Sequence, residues 1–399
     1  MRRRNIPYQT VTDNKGPFIF FLYALLGFKT PFGHPGIFLC DLFAVLITFR
    51  LMYKSSRLFA PVLPSILFTL SSVLLFFSHY TRAYGNPETF AMPLYAIITY
   101  WILSGEYREG NTKKVFLISV WTGMLLFTKQ TLAVYPICAF LYYLIFYVIP
   151  EKHEEELKTC ITGILIPTGI VVLYGIFTGS LSDMIRETWI NSISYSGNSE
   201  GFVLDDLGIK VVPYLFILIV LQFSSAVVER KIDAMAVTVS IVIFVIIQIV
   251  IPGRMYDYYT FPFYGMMFLP FLSLRQSKSN MITSMFALIL TCVVTVQLLP
   301  GLISQGKTNR YFMRDQYTNL KQVNEIVGNL KEDSGIFCSS ATTMSVQNIN
   351  CKLTNRNFFR ANSTYSMNPD MWNEWIDGTE NGDYKLIISL KKKGSVLAD

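Results

Sequence analysis

Charged residues are scarce in this chain of 399 residues. Only 15% are Asp, Glu, Lys or Arg, and 52% are hydrophobic. About a quarter of the residues of a soluble domain are normally charged. The charges are also unevenly spread, so that long runs are nearly free of them. This pattern argues against an ordinary soluble protein and predicts a polytopic membrane protein that has the lipid bilayer as a partner.

Metal-binding patterns are missing as well. The three histidines are scattered, and the six cysteines show no Cys-x-x-Cys spacing. We therefore predict no metal site and no cofactor, and leave open whether a divalent ion takes part. The net charge of +7 does not indicate a nucleic-acid partner, because most basic residues lie in short loops between apolar runs or in the tail.

The apolar runs predict about ten membrane-spanning helices. They cover residues 36–53, 61–79, 88–104, 114–128, 131–149, 159–178, 211–228, 234–252, 261–275 and 281–300. Some are shorter than the ~20 residues that a straight span needs, which favours tilted or broken helices. A further apolar segment, 18–28, is too short to cross and is expected to lie along the interface or to re-enter the membrane.

Basic residues recur in every second loop. Short basic loops follow the first, third, fifth, seventh and ninth runs. The positive-inside rule places these loops in the cytoplasm and the other loops outside. The chain is thus predicted to lie in the cytoplasmic membrane, with an outer loop and interfacial helix at 1–35, a transmembrane domain at 36–300 and a soluble extracytoplasmic domain at 301–399.

The tail from residue 301 has the polar composition of a globular domain. Residues 315–331 fit an amphipathic helix, and residues 335–338 and 384–390 fit strands. We predict a small α/β domain there. Cys338 and Cys351 would form a disulfide in an oxidising compartment, although two free thiols fit the sequence equally well.

The predicted topology brings many charged and aromatic side chains to the outer face. They comprise four basic residues (Lys15, Arg82, Lys129 and Arg254), the acids Asp13 and Glu88, and Gln130, Tyr256, Tyr258 and Tyr259. Cations hold phosphate, tyrosine rings pack on a sugar or a lipid tail, and a carboxylate can accept a proton. Together these groups suit an anionic, sugar-bearing ligand at the outer leaflet.

Each member of this set also has a plain structural interpretation. The arginines fit lipid headgroup anchors, and the tyrosines fit an interfacial belt. Glu88 fits the acidic first turn of a helix, and so does Asp13 before Pro17. Lys129 fits a side chain that extends to the membrane surface. The grouping of all of them on one face favours the binding-site hypothesis.

Several stretches resemble the outer loops of one enzyme family. Residues 6–17, IPYQTVTDNKGP, are similar to the first outer loop of bacterial multi-pass glycosyltransferases with the GT-C fold, a superfamily that includes protein mannosyltransferases and aminoarabinose transferases. Residues 86–93, NPETFAMP, and 127–130, FTKQ, resemble later outer loops of the same group. Residues 258–262, YYTFP, resemble its late Tyr-Tyr-x-x-Pro turn.

The resemblance implies an enzyme that transfers a sugar from a polyprenyl-phosphate donor to a cell-envelope acceptor. Lys15 matches the phosphate-binding lysine, and Asp13 matches an acid close to it. In the chain as written, Asp13 is the only nearby candidate for the catalytic base. From the predicted topology, Arg82, Lys129 and Arg254 are expected to help hold the donor phosphate. The residues that line the substrate are Tyr8, Glu88, Gln130, Tyr256, Tyr258 and Tyr259.

The chain departs from the family pattern at its beginning. The family usually starts with a transmembrane helix and an acidic residue, and that acid is the usual base, whereas here Met1-Arg2-Arg3-Arg4 precedes the first outer loop. We therefore expect an N-terminal truncation. A transporter or flippase for a lipid-linked glycan and a non-catalytic remnant stay as alternatives. The sequence does not predict an oligomeric state.

Overall fold

The structure is a computed structural model of the full chain. It describes residues 7–8, 15–27, 35–58, 60–80, 85–190, 203–204, 216, 219–220, 223–224, 226–228, 230–252, 254–255, 259, 261–264, 289, 296, 335–338, 352–353 and 386–388. The chain forms two compact units. One comprises 15–173 and 199–304, and the other comprises 1–14, 174–198 and 305–399.

The described residues are mainly helical. The helices are α1 (Pro17–Leu26), α2 (Pro35–Arg57), α3 (Val62–Tyr80), α4 (Pro87–Ser104), α5 (Thr112–Leu126), α6 (Val134–Tyr143), α7 (Ile149–Glu151), α8 (Glu154–Thr178), α9 (Leu181–Ile185), α10 (Ile232–Val245) and α11 (Phe261–Tyr264). Short 3-10 turns cover Glu106–Glu109 and Gln130–Ala133. Single π-helical segments extend α6, α9 and α10 and cover Leu144–Val148, Arg186–Ile190 and Ile246–Val250.

Within the part of the chain that the structure describes, four helices are long and apolar enough to cross a membrane: Pro35–Arg57, Gln130–Glu151, Glu154–Thr178 and Ile232–Val250. They correspond to the predicted spans 36–53, 131–149, 159–178 and 234–252. The predicted spans 61–79, 88–104 and 114–128 are the helices α3, α4 and α5. Most of each of the predicted spans 211–228, 261–275 and 281–300 lies outside the described residues.

Helix α4 is almost completely surrounded by other helices. It packs against α2, α5, α6, α10 and α11. Its aromatic side chains form the centre of the core: Tyr95 and Trp101 are buried, and the Tyr95 ring stacks on Tyr135 with the ring centroids 4.6 Å apart. Because α4 is covered by protein on nearly every side, it can carry buried polar groups that a lipid-facing helix could not.

Local sequence explains where α4 begins and ends. Pro87 occupies the first turn, where its missing N–H costs nothing. Gly105 follows the last turn at φ 75°, a conformation that favours glycine, and its N–H donates to the carbonyl of Ile102. The contrast with α8 is clear, since that helix exposes Ile161, Leu165, Ile170 and Leu173 and so has the surface of a lipid-facing span.

Small residues allow α5 and α8 to pack closely. A Cβ added at Gly163 would lie 2.5 Å from the Cβ of Ser119, and one added at Gly123 would lie 2.9 Å from the carbonyl oxygen of Ile164. Such close approach of two backbones is typical of helix pairs in membranes.

Replacing Gly163 with alanine is therefore expected to separate the two helices and to lower the free energy of unfolding by about 1–3 kcal/mol. A denaturant titration of the purified protein measures this change. Gly169 is the matched control, because it lies in the same helix with nothing within 4 Å of its added Cβ. Equal stability of the Gly163→Ala and Gly169→Ala proteins would contradict the packing argument.

Five short strands complete the described elements. β1 (Val203–Leu204) pairs in parallel with β2 (Arg254–Met255). In the tail, β3 (Gly335–Cys338) lies between β4 (Lys352–Leu353) and β5 (Leu386–Ile388), and both pairings are parallel. The predicted strands at 335–338 and 384–390 are thus confirmed, the second in a shorter form. The predicted helix at 315–331 and Cys351 lie outside the described residues.

Candidate functional site

The first element of the site is the start of α1. The N–H of Gly16 donates to the carbonyl of Thr128 at 2.9 Å, and the N–H of Phe18 donates to the carbonyl of Phe127 at 3.1 Å. These two bonds bind the beginning of α1 to the segment that follows α5. As a result, the backbone that carries Lys15 lies directly beside the backbone that carries Lys129.

Glycine is required at position 16 by space and not by backbone conformation. Its φ of −72° suits any residue, but an added Cβ would lie 2.0 Å from the carbonyl oxygen of Phe127. No flexible side chain could move aside there, because the opposing atoms belong to the backbone. The Lys-Gly-Pro order therefore combines a cation, a close backbone contact and a helix start in three consecutive residues.

Lys129 lies at the centre of the candidate site. Its ammonium group donates to Oε1 of Glu88 and lies 3.9 Å from the centroid of the Tyr259 ring. Glu88 is completely buried, whereas the Lys129 side chain is 20% exposed. The lysine thus forms a buried ion pair and a cation–π contact and does not simply extend to the membrane surface.

Several unpaired polar atoms belong to the elements that carry or adjoin this ion pair. Four buried groups have no hydrogen-bond partner among the described residues: Glu88 Oε2, the hydroxyls of Thr89 and Thr131, and the side-chain amide of Gln248. Thr131 lies in the 3-10 turn that follows Lys129, and this turn packs against the π-helical segment that contains Gln248. A buried polar atom without a partner costs about 1–3 kcal/mol. The same atoms could bind the hydroxyls of a polar ligand.

A second buried carboxylate lies close to the start of α4. The N–H of Gly85 donates to Oδ2 of Asp41 at 2.8 Å, and the Tyr23 hydroxyl donates to the carbonyl of Gly85. Asp41 is completely buried, and Gly85 has a φ of 74°. The contacts connect α1 and α2 to the segment before α4, so the acid holds the backbone that precedes Glu88.

The sequence-predicted residues fall into three groups. Lys15, Glu88, Lys129, Gln130 and Tyr259 lie in the same unit, where Glu88, Lys129 and Tyr259 are in direct contact. The second group comprises Tyr8, which is buried with a φ of 72° and belongs to the other unit, and Arg254, which is the first residue of β2. Asp13, Arg82, Tyr256 and Tyr258 lie outside the described residues.

The other end of α10 carries a polar network that the sequence analysis did not single out. The hydroxyls of Tyr107 and Tyr142 donate to Oδ1 of Asp233, the first at 2.8 Å, and Arg108 Nη2 lies 3.3 Å from Oδ2. Burial raises the pKa of Tyr107, so this hydroxyl keeps the proton that it donates. The network fastens the Glu106–Glu109 turn and α6 to the first turn of α10.

The missed residues carried weak sequence signals. Asp41 is a lone acid within an apolar run, and an acid in such a place in a membrane protein usually has a structural or functional role. The partnership of Tyr107, Tyr142 and Asp233 had no such signal, because the three residues are separated by 35 and 91 positions or more.

No protein-family model, curated protein or solved structure matches this chain. Within the described part of the chain, no group of three or more His, Cys, Asp or Glu side chains is placed to hold a metal ion. The groups that the described site offers include a buried carboxylate, an ammonium group, an amide, hydroxyls and an aromatic ring.

Proposed function

We propose that the protein is a membrane glycosyltransferase of the GT-C type, which transfers a sugar from a polyprenyl-phosphate donor to a cell-envelope acceptor at the outer face of the cytoplasmic membrane. One observation carries most of this proposal. The two backbone hydrogen bonds between residues 16–18 and 127–128 bring together the segments of Lys15 and Lys129, which are two of the four proposed phosphate-binding cations.

The surroundings of Lys129 further support a polar, anionic ligand. The ammonium group is neutralised by Glu88 and covered on one side by Tyr259. A donor phosphate at this place would compete with Glu88 for the ammonium group. The unpaired hydroxyls of Thr89 and Thr131 and the Gln248 amide supply donors and acceptors suited to sugar hydroxyls.

In the proposed reaction, a hydroxyl of the acceptor attacks the anomeric carbon of the donor. The bond between this carbon and the phosphate oxygen breaks, and polyprenyl phosphate leaves. The proton of the attacking hydroxyl passes to the carboxylate of Asp13. Lys15, with Arg82, Lys129 and Arg254, stabilises the negative charge that develops on the leaving phosphate.

The proposal also includes the finer architecture. It has about ten membrane spans and places the tail outside the cell as a small α/β domain. Support for that domain comes from the three parallel strands β3, β4 and β5, since parallel strands need connecting segments long enough for helices.

Replacing Lys15 with alanine is expected to reduce sugar transfer about a hundredfold, because one group that stabilises developing charge commonly contributes that much. The measurement uses the full chain in vesicles with polyprenyl-phosphate mannose or aminoarabinose as donor, and follows the release of polyprenyl phosphate. This product is the same for every sugar and acceptor. The control is Lys158→Ala, which removes a charge of the same kind from an exposed position of α8. Undiminished release by the Lys15→Ala protein would refute the assignment of Lys15.

A transporter or flippase for a lipid-linked glycan is the second candidate. The observation that favours it is the complete burial of Asp41 within a helix long enough to span the membrane, because buried charges in spans often mark transport pathways. The same vesicles distinguish the two functions. Movement of labelled lipid across the bilayer without release of polyprenyl phosphate would establish transport and rule out the transferase.

A further inference from the structure

One face of α2 changes from apolar to basic along its length. Phe43, Leu46 and Ile47 are exposed, and Arg50 and Lys54 follow them at spacings of three and four residues, also exposed. Residues at these spacings lie on the same face of a helix. An exposed apolar stripe thus leads directly to two cations at the end of a helix that is long enough to cross the membrane.

A neighbouring helix adds a third cation to this surface. The Lys54 ammonium group lies 4.3 Å from the centroid of the Tyr100 ring, and the Lys114 ammonium group lies 5.8 Å from the same centroid. Tyr100 belongs to α4 and is only 8% exposed, so a fixed ring gathers two lysines from different helices. The aromatic ring attracts both ammonium groups without neutralising either of them.

The positive charge of this surface is only partly balanced. Lys114 forms an ion pair with Glu106. Burial disfavours the charge of Glu106, but hydrogen bonds from Lys114 and Tyr100 outweigh it and hold the pKa of this carboxyl below its ordinary value. Arg50 has no ion-pair partner in the part of the chain that the structure describes, and its charge acts on Lys54. Lys54 and Lys114 thus share the charge of Glu106, whereas the described part of the chain shows no acid paired with Arg50.

We infer that Arg50, Lys54 and Lys114 form a binding site for the phosphate of an anionic phospholipid, whose acyl chains lie along Phe43, Leu46 and Ile47. The stripe and the cations occur in the order in which a phospholipid presents its hydrocarbon chains and its phosphate. A soluble anion would use the cations but would leave the apolar stripe without a function. The tyrosine at the junction is typical of the level of lipid headgroups.

The basic-loop pattern predicts that this end of α2 faces the cytoplasm. The lipid site thus lies at the opposite end of α4 from Glu88, because Tyr100 is near the last turn and Glu88 is in the first turn. A lipid bound there would hold α2, α4 and α5 together at one end of the bundle. The site is independent of the proposed sugar transfer.

The experiment is native mass spectrometry of the full chain, purified in detergent and exposed to equal amounts of phosphatidylglycerol and phosphatidylcholine. We expect the wild-type protein to retain phosphatidylglycerol in preference to phosphatidylcholine. A cation near a membrane surface contributes about 1 kcal/mol, so each of Arg50→Gln and Lys54→Gln should weaken phosphatidylglycerol retention about fivefold. Lys54→Arg should keep it, and Lys158→Gln, which removes an exposed lysine from another helix, should leave it unchanged.

Three outcomes would overturn the inference. Equal retention of the two lipids by the wild-type protein would exclude a headgroup site. If Lys158→Gln weakened phosphatidylglycerol retention as much as Arg50→Gln and Lys54→Gln do, net charge alone would attract the lipid. Displacement of phosphatidylglycerol by millimolar inorganic phosphate alone would assign the cations to a soluble anion. The Lys54→Arg protein tests folding, because its retention of lipid excludes a general structural defect at this position.

Discussion

Replacing Lys129 with methionine is expected to lower the free energy of unfolding by about 3–5 kcal/mol, the cost of leaving a buried charge without its partner. Glu88 is completely buried, and its Oε1 accepts the hydrogen bond from Lys129. Its other oxygen, Oε2, already lacks a partner among the described residues. Without the ammonium group, this buried carboxylate would lose its charged hydrogen-bond partner, which costs free energy.

A denaturant titration of four proteins measures this effect. They are the wild type, Lys129→Met, Glu88→Gln and the double variant. Glu88→Gln should cost less than Lys129→Met, because Lys129 is partly exposed and keeps its contact with Tyr259. The double variant should be more stable than Lys129→Met, since it removes the uncompensated charge. Additive effects of the two substitutions would show that the pair is not coupled.

Replacing Gly16 with alanine is the second substitution with a large expected effect. The new methyl group would lie 2.0 Å from the carbonyl oxygen and 2.3 Å from the carbonyl carbon of Phe127. The two segments must therefore separate, and the hydrogen bonds from Gly16 and Phe18 to residues 127–128 would break. Overpacking of this kind together with two lost hydrogen bonds is expected to cost about 3 kcal/mol or more.

The measurement for Gly16→Ala is again the free energy of unfolding, with Gly169→Ala as the matched control. Gly169 lies inside α8 with open space at its Cβ position, so alanine there should be neutral or should stabilise the helix by up to about 1 kcal/mol. If sugar transfer is established, Gly16→Ala should also lower it, because the contact positions Lys15 beside Lys129. A Gly16→Ala protein as stable as the wild type would mean that the two segments do not touch.

The positions of the helices were largely predictable from the sequence. Runs of apolar residues specify a helix wherever the backbone must satisfy its own hydrogen bonds in lipid, as in α2 and α8. Whether a given helix is buried among other helices or exposed on the surface was not predictable. Helix α4 has an apolar run like the others, yet it is enclosed by five helices, whereas α8 is exposed along much of its length. Hydropathy does not distinguish burial in protein from burial in lipid.

The candidate site was predictable only as a set of residue types at one end of the bundle. The basic-loop pattern grouped Lys15, Glu88 and Lys129, but it gave each a separate role. The structure makes Glu88 the direct partner of Lys129 and adds Tyr259 to the same contact. Asp41 and Gln248 lie in apolar segments, where the sequence showed a polar residue without showing what it faces.

The sequence by itself determined that this is a helical chain with segments apolar enough to cross a membrane. It also indicated where helices such as α1 and α4 begin, because hydrophobicity and the conformational preferences of Pro and Gly act locally. Only the tertiary structure decided which charges meet. The Glu88–Lys129 pair joins residues 41 positions apart, and the Tyr142–Asp233 hydrogen bond joins residues 91 positions apart. Such partnerships depend on how several helices pack, since a buried carboxylate is stable only where packing brings a donor to it.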